Sequence, residues 1–249
     1  STGPDMRPRY HKRLGILLHR NFIKSYRDPL VYGIRLAFVI TFAILIGTVW
    51  WRLDRDQESI ERLISEIYFA PCFMSLSSFI YAPAFIEDYL HYRHDQRHGL
   101  YDSTEFIICN FLIGVPFLFF LSLVFSLIAY WLSHLVVSAA AFFLWVWWIF
   151  ATTLAAESLV VLAASVFPNF MFTIAFTSLF NSILRCTQGF LVSLEDLNPF
   201  YKYGFYYWNY LSYVFEGLMM TQFSDISYSC GRNCDCLYNS TKNCEIPGE

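Results

Sequence analysis

The chain contains 249 residues, of which 56% are hydrophobic and 20% aromatic, while only 15% carry a charge. A soluble domain has about a quarter of its residues charged, so this composition argues against a soluble protein and for one that lipid solvates. The formal net charge is −3, yet eight of the seventeen Lys and Arg residues precede Leu36. By the positive-inside rule this asymmetry predicts a cytosolic N-terminus, and no nucleic-acid partner is expected, because the basic run stops where an apolar stretch begins.

The N-terminal region predicts a linker over residues 1–9 and an amphipathic connecting helix over residues 10–29. Leu14, Leu17 and Phe22 recur at helical spacing, opposite Arg13 and Arg20. Such a helix is typical of a segment that lies on the inner leaflet, with its apolar side in the membrane. A surface helix of a cytosolic domain is the alternative interpretation of the same pattern.

Residues 30–223 are predicted to form one all-α membrane domain, a polytopic bundle of about five spans. The spans are placed at residues 34–51, 67–86, 106–133, 139–167 and 170–190. The segment from Arg52 to Glu66 is predicted to be a short polar loop, and the segment from Glu87 to Glu105 a longer loop exposed to water. Pro71 and Pro83 predict kinks in the second span.

The aromatic segment at residues 199–223 is predicted to be re-entrant or to lie at the membrane surface. Lys202, Asn209 and Glu216 interrupt it, which disfavours a full crossing, whereas its many Tyr and Trp residues suit a membrane interface. Five crossings from a cytosolic start place residues 224–249 outside, as a Cys-rich loop. The predicted topology therefore lacks a sixth and final span.

The C-terminal loop carries two signs of an oxidising compartment. One is a sequon at Asn239, and the other is a group of four cysteines that are candidates for disulfides: Cys230, Cys234, Cys236 and Cys244. The sequence leaves their pairing open, and a bond from one of them to a second subunit is among the alternatives. A zinc site is a further alternative, although the spacing lacks the usual Cys-x2-Cys element.

Ionisable side chains inside spans are costly and are therefore candidates for function. The sequence places Glu157 in the fourth span and Arg185 late in the fifth, with Asn181 one helical turn before Arg185. Simple structural roles are the alternative interpretation: pairing of Glu157 with a neighbouring helix, and extension of Arg185 to the outer interface.

The sequence bears on two kinds of catalysis, metal-dependent chemistry and ATP hydrolysis. His91, His94 and His98 lie beside acidic residues, as metal ligands do, so a membrane-bound metal-dependent enzyme is one alternative function. Membrane di-iron enzymes need about eight histidines, however, and the chain has six. No Gly-x4-Gly-Lys-Ser/Thr motif occurs, so ATP hydrolysis is expected on another domain, and no cofactor or metal is expected in this chain.

Several motifs, taken in order, resemble the ABC-2 type membrane domain of the G subfamily of ATP-binding-cassette transporters. The likeness rests on Arg20-Asn21-Phe22 with Tyr26-Arg27-Asp28-Pro29, on Phe85-Ile86-Glu87-Asp88 through Gly99-Leu100-Tyr101, on Ala164 to Phe170, and on Gln188-Gly189-Phe190-Leu191-Val192 followed by Asn198-Pro199. The resemblance covers nearly the whole chain. Asp95 departs from it, because the family usually has a second Glu there.

This resemblance implies a permease that moves lipids, sterols or lipophilic drugs by alternating access, using ATP and Mg on an associated nucleotide-binding domain. It implies a homodimer or heterodimer of half-transporters in the plasma membrane, with disulfides in the external loop. The implied substrate-binding residues are Phe73, Leu76, Phe79, Asn181, Ser182 and Arg185, below an apolar plug of Phe190 and Leu191. The implied contacts to the ATPase domain are Glu87, Asp88, Asp95 and Tyr101. A truncated regulatory subunit that does not transport is the remaining alternative.

Overall fold

The computed structural model of the chain describes residues 10–27, 29–51, 57–98, 100–135, 138–192, 197–224, 227–229 and 245–247. The predicted linker, the four loop cysteines and the sequon at Asn239 lie outside these residues. Two three-residue strands, Ser227–Ser229 (β1) and Glu245–Pro247 (β2), pair in antiparallel register. The Cys-rich segment therefore starts and ends at neighbouring positions.

The rest of the described chain is almost entirely helical, which confirms the predicted all-α polytopic bundle. The helices are α1 (Tyr10–Arg27), α2 (Pro29–Val49), α3 (Gln57–Ser77), α4 (Ala82–Arg97), α5 (Ser103–Ser133), α6 (Ala139–Val166), α7 (Phe170–Cys186), α8 (Pro199–Gly204) and α9 (Tyr210–Phe223), with 3₁₀ segments at Ser78–Tyr81 and Tyr206–Trp208. Helices are the expected solution in lipid, because they satisfy their own backbone hydrogen bonds.

Four helical stretches of the described chain are long and apolar enough to cross a membrane: Tyr32–Val49, Ser59–Arg97, Ser103–Ser133 and Ala139–Val166. The fifth apolar helix, α7, has 17 residues and is shorter than the roughly 20 that a full crossing needs. The second stretch has 39 residues, which at about 1.5 Å per residue exceeds the thickness of the hydrocarbon core. Part of this rod therefore projects beyond the membrane.

Both predicted polar loops that flank the second span are largely helical, so these predictions were wrong. Helix α3 already begins at Gln57, and Glu66 lies within it, completely buried. At the other end, α4 continues to Arg97, because residues 84–97 contain neither Gly nor Pro. Between them, Pro83 lacks the N–H that would bond to Phe79, and the chain tightens there into the 3₁₀ segment Ser78–Tyr81.

Helix ends follow from local side-chain chemistry. Asn169, Asn198 and Asn209 each accept a backbone N–H at the start of α7, α8 and α9. At the start of α5, the carboxylate of Glu105 accepts the amide N–H of Asp102 at 3.2 Å. Helix α5 ends at His134, whose φ of 59° is left-handed. These caps fix where each apolar helix enters and leaves the bundle.

Two apolar cores hold the helices together. The larger one joins α2, α3, α5, α6 and α9, and its members include Ile46, Met74, Phe125, Trp145 and Leu218. The smaller one joins α1, α4, α5 and α6 through Leu17, Phe85, Tyr92, Phe106 and Ala164, among others. Each core lies near one end of the bundle, so the two ends are packed as separate units that α5 and α6 connect.

Close packing of α9 on α6 predicts that Gly217 tolerates no side chain. A Cβ at this position would lie 2.2 Å from Cζ2 of Trp148, a rigid ring that cannot yield at its end. We expect Gly217→Ala to destabilise the protein by about 1–3 kcal/mol, seen as a lower thermal unfolding midpoint of the purified full-length protein.

Gly204→Ala is the matched control, because nothing lies within 4 Å of a Cβ built at Gly204. Its unfolding midpoint should stay within error of the wild-type value. Equal midpoints for the two variants would contradict the packing of α9 against Trp148.

Candidate functional site

A buried ion pair joins α2 to α6. Arg35 Nη2 donates to Glu157 Oε2, and the two residues are only 2% and 8% exposed. Tyr81 and Phe117 each place a ring 5.8 Å from the Arg35 guanidinium carbon. The pair therefore ties together α2, the 3₁₀ segment, α5 and α6 with charge and cation–π attraction.

The sequence identified only half of this pair. Glu157 stands out because it lies inside a long apolar span, whereas Arg35 was counted with the basic N-terminal residues. The available signal was that Arg35 follows Ile34 and precedes Leu36-Ala37-Phe38, already inside the apolar stretch. The partners are 122 residues apart, a separation that no local pattern could bridge.

Arg185 lies where α7 meets α3. Its Nη2 donates to the carbonyl oxygen of Cys72 at 3.2 Å and to Ser75 Oγ at 3.0 Å. Both acceptors are neutral, and the ion pairs within the described ranges do not include Arg185. Among the residues that the structure describes, hydrogen bonds hold its positive charge in place and no carboxylate pairs with it.

The other predicted substrate-binding residues differ in accessibility. Phe73 is half-buried, and its ring lies 4.8 Å from the ring of Phe42 on α2. Leu76 and Phe79 are also half-buried, while Ser182 is exposed on α7. Asn181 is only 1% exposed: its Oδ1 accepts the Tyr210 hydroxyl at 3.0 Å, and its Nδ2 donates to the Thr177 carbonyl at 3.1 Å. In this arrangement Asn181 connects α7 to α9 within the chain.

The predicted plug lies in the turn after α7. Phe190 stacks on Tyr68 of α3 with ring centroids 4.6 Å apart, while Leu191 is 58% exposed. Gly189, which precedes them, has a φ of +103°, so a residue with a side chain would be strained there. The turn thus holds one plug residue against α3 and leaves the other on the surface.

At the opposite end of the bundle, α1, α4 and the start of α5 form what we call the basal corner, which encloses a cavity of about 440 Å³. It is lined by Arg20, Asn21, Asp88, His91, Asp95, Tyr101 and Phe106.

The polar contacts of the basal corner link α1 to α4. Arg20 Nη1 lies 3.5 Å from Asp95 Oδ2, and Tyr101 donates its hydroxyl to the same oxygen at 3.1 Å. Burial raises the pKa of Tyr101, so its hydroxyl keeps its proton for this hydrogen bond at neutral pH. Glu87, by contrast, points outward with a 69% exposed side chain that pairs with His91. Of the predicted coupling residues, Asp95 and Tyr101 therefore make contacts within the chain, whereas Glu87 lies on the exposed surface.

The histidines of α4 do not assemble a metal site. His91 and His94 have side chains that are 70% and 73% exposed, and the ring of His94 lies 4.9 Å from that of His98. No group of three His, Cys, Asp or Glu side chains suited to a metal occurs among the described residues. The geometry thus offers nothing in favour of the metal-dependent enzyme.

The bundle, its caps and its charge pairs define a multi-pass membrane domain, and residues 12–223 match the family model of the ABC-2 type transporter. Because the match covers most of the chain, the protein belongs to the ABC-2 type transporter family.

Curated relatives are members of the ABC transporter G family. The chain is 27% identical over 226 residues to ABC transporter G family member 1 of Petunia hybrida, and 26% identical over 212 residues to member 18 of Arabidopsis thaliana. It is 28% identical over 228 residues to member STR2 of Petunia hybrida. These alignments cover 90%, 85% and 89% of this chain but 36%, 30% and 30% of the relatives. The chain thus spans about a third of their length.

The buried pair predicts a double-mutant cycle of large amplitude. Glu157→Gln leaves the Arg35 charge buried without its counter-charge, so we expect a loss of about 3–5 kcal/mol of stability. In the Arg35→Met/Glu157→Gln double variant both charges are gone, and the loss should be smaller than in Glu157→Gln alone. The thermal unfolding midpoint of the full-length protein in detergent measures both effects.

Glu216→Gln serves as the control, because it removes a carboxylate from an exposed position on α9. Its midpoint should match that of the wild type. Additive effects of Arg35→Met and Glu157→Gln would show that the two side chains do not interact.

Proposed function

We propose that this chain is the membrane-spanning part of an ATP-driven exporter that moves amphipathic, lipid-like compounds with an acidic group by alternating access. The observation that carries the substrate class is the position of Arg185 between α3 and α7, where its acceptors in the described part of the chain are both neutral. Membership in the ABC-2 type transporter family supports the exporter itself.

The surroundings of Arg185 favour a ligand with one anionic and one apolar end. Phe73, Leu76 and Phe79 lie on the neighbouring segments of α3 and the 3₁₀ turn, and they provide half-buried apolar surface. An arginine that lacks a counter-ion in a membrane gains most from a carboxylate, sulfate or phosphate, which its planar group can bind with two hydrogen bonds. A purely apolar substrate would leave that charge unused.

Two partners are proposed for this membrane domain, a nucleotide-binding domain and a second half-transporter. An associated nucleotide-binding domain would supply ATP and Mg. A second half-transporter would pack against this one, and α3 and α7 of both subunits would then line a central substrate cavity. The G family relatives support both proposals, since their chains are about three times as long as the part matched here. We place the protein in the plasma membrane, with the basal corner in the cytosol and the Cys-rich loop outside.

The basal corner would transmit the work of ATP binding. Glu87 offers an exposed carboxylate for docking, while Arg20, Asp95 and Tyr101 lock α1 onto α4. A push on either helix would therefore move both, and the smaller apolar core would carry the movement into α5 and α6. Differential affinity of ATP for the two arrangements then drives the inward-to-outward change.

Replacing Arg185 by Met should selectively impair the transport of anions. We expect ATP-dependent uptake of a long-chain carboxylate dye into inside-out vesicles to fall about ten-fold, because a hydrogen bond between charged groups is lost. Uptake of the methyl ester of the same dye should change little. Both rates are measured on full-length protein and normalised to its amount in the membrane.

Arg185→Lys should retain part of the carboxylate transport, and Lys202→Met, which removes a cation from α8, should leave it intact. An equal fall for carboxylate and ester would refute the role of the charge. Absence of any ATP-dependent uptake by the wild-type protein, across a panel of amphipathic dyes, would refute the exporter.

Loosening the basal corner should uncouple transport from ATP hydrolysis. In Asp95→Asn the charge that holds Arg20 is lost while the size is kept, so the polar link between α1 and α4 is weakened and only their apolar packing remains. We expect the number of dye molecules moved per ATP to fall several-fold, with a stability change below about 1 kcal/mol, because the pair is partly exposed. Gln96→Ala, on an exposed position of the same helix, should keep the wild-type ratio. An unchanged ratio in Asp95→Asn would contradict this coupling route.

A further inference from the structure

A second, lateral cavity lies between α4, α5 and α6, away from the α3–α7 face. Its volume is about 170 Å³, and it forms where α4 begins, along the first half of α5 and the second half of α6. Its walls are almost entirely apolar, with Tyr81, Phe85, Ile107, Phe111 and Leu154 among them. None of the residues predicted to bind substrate contributes to this cavity.

Asn110, Glu157 and Ser158 contribute the polar side chains of its lining. The Nδ2 of Asn110 is buried and finds no hydrogen-bond acceptor among the described residues. Glu157 lines the same cavity and is only 8% exposed, and its Oε2 pairs with Arg35. Gly114 leaves the approach to the carboxylate open, because a Cβ there would lie 3.5 Å from Glu157 Oε1. A buried amide donor and a carboxyl group thus line the same apolar space.

The mouth of the cavity faces the bilayer. Ile107 and Phe111 are 59% and 56% exposed, and they belong to an apolar surface that continues along α5 through Leu112, Phe119, Phe120, Leu127 and Trp131. Asn110 lies seven residues from the start of α5, which places it about 10 Å along the helix axis. A ligand would therefore enter sideways, from the leaflet nearer the basal corner.

We propose that this cavity binds a neutral lipid that carries a hydroxyl group. A hydroxyl can both accept and donate a hydrogen bond, so it suits a cavity that is lined by the unpaired amide donor of Asn110 and the carboxylate of Glu157. An anionic headgroup would be repelled by the carboxylate of Glu157. A cationic headgroup would gain little, because Arg35 already balances the charge of that carboxylate. Leaving an amide donor unpaired in hydrocarbon is costly, which favours occupancy whenever such a lipid is present.

A lipid bound at this site would be part of the packing of the bundle. Its occupant would touch α4, α5 and α6 directly beside the Arg35–Glu157 pair, and these helices also form the smaller core behind the basal corner. This binding does not depend on what the α3–α7 face transports, so it stands or falls separately from the proposed function.

Photolabelling tests the proposal on the full-length protein in phosphatidylcholine nanodiscs. The probes are a long-chain fatty alcohol with a diazirine in its chain, and its methyl ether, which cannot donate a hydrogen bond. We expect the alcohol to label peptides containing residues 107–118 or 154–161 about ten-fold more than the ether does. Excess unlabelled fatty alcohol should suppress this labelling, and the unlabelled ether should not.

Two variants locate the site. Asn110→Leu removes the donor and should lower labelling about five-fold, and Gly114→Leu should abolish it by filling the cavity. Phe120→Leu, on the lipid-facing surface of the same helix, is the matched control and should label as the wild type does.

Equal labelling by alcohol and ether, or labelling spread evenly over Phe119, Phe120 and Leu127, would overturn the proposal, because either result describes ordinary lipid contact. Labelling that persists in both Asn110→Leu and Gly114→Leu would overturn it as well. The competition on the wild-type protein decides the matter even if a variant fails to fold.

Discussion

A charge inside a membrane is costly unless an opposite charge or hydrogen bonds compensate it, and Arg35 and Glu157 compensate each other in this bundle. The cost of removing the two ions from water is high, so their attraction and the flanking rings of Tyr81 and Phe117 are what make the burial tolerable. Because the four groups come from four different elements, the pair fixes the positions of α2, the 3₁₀ segment, α5 and α6 together. The lateral cavity and the smaller core both depend on this arrangement.

Most of the helices are predictable from the sequence, because membrane spans are recognised by their length and hydrophobicity. It failed where one segment changes environment along its length. Glu66 and the residues around it are polar, which suggested a loop, yet their backbone is helical and Glu66 is completely buried. The segment after Glu87 is polar for the opposite reason: α4 leaves the apolar environment while remaining a helix. Hydropathy identifies solvent and not backbone conformation, so it misplaced both ends of the same rod.

Side-chain roles were predictable only where a residue is unusual for its position. Arg185 and Glu157 stand out as ions in apolar spans, and the structure gives each a defined set of contacts. The family resemblance implies that Asn181 binds substrate, and its spacing puts it on the same side of the helix as Arg185; in the structure its two polar atoms bond to Tyr210 and Thr177. Spacing along a helix gives a direction and cannot reveal which neighbouring helix lies there. The cavity at Asn110 was unpredictable for the same reason, since its walls come from three separate elements.

The 3₁₀ segment Ser78–Tyr81 also sets the rotational phase between the two halves of the second span. A 3₁₀ turn advances about 120° per residue and an α-helix about 100°, so over these four residues the winding differs by about 80°. Cys72 and Ser75, which hold Arg185, and Glu87 and Asp95 at the basal corner are therefore offset relative to a continuous helix. If the segment converted to α-helical winding, α4 would turn about its own axis by that angle while α3 stayed in place. A short stretch of backbone beside Pro83 thus determines which way the acidic end of this rod points.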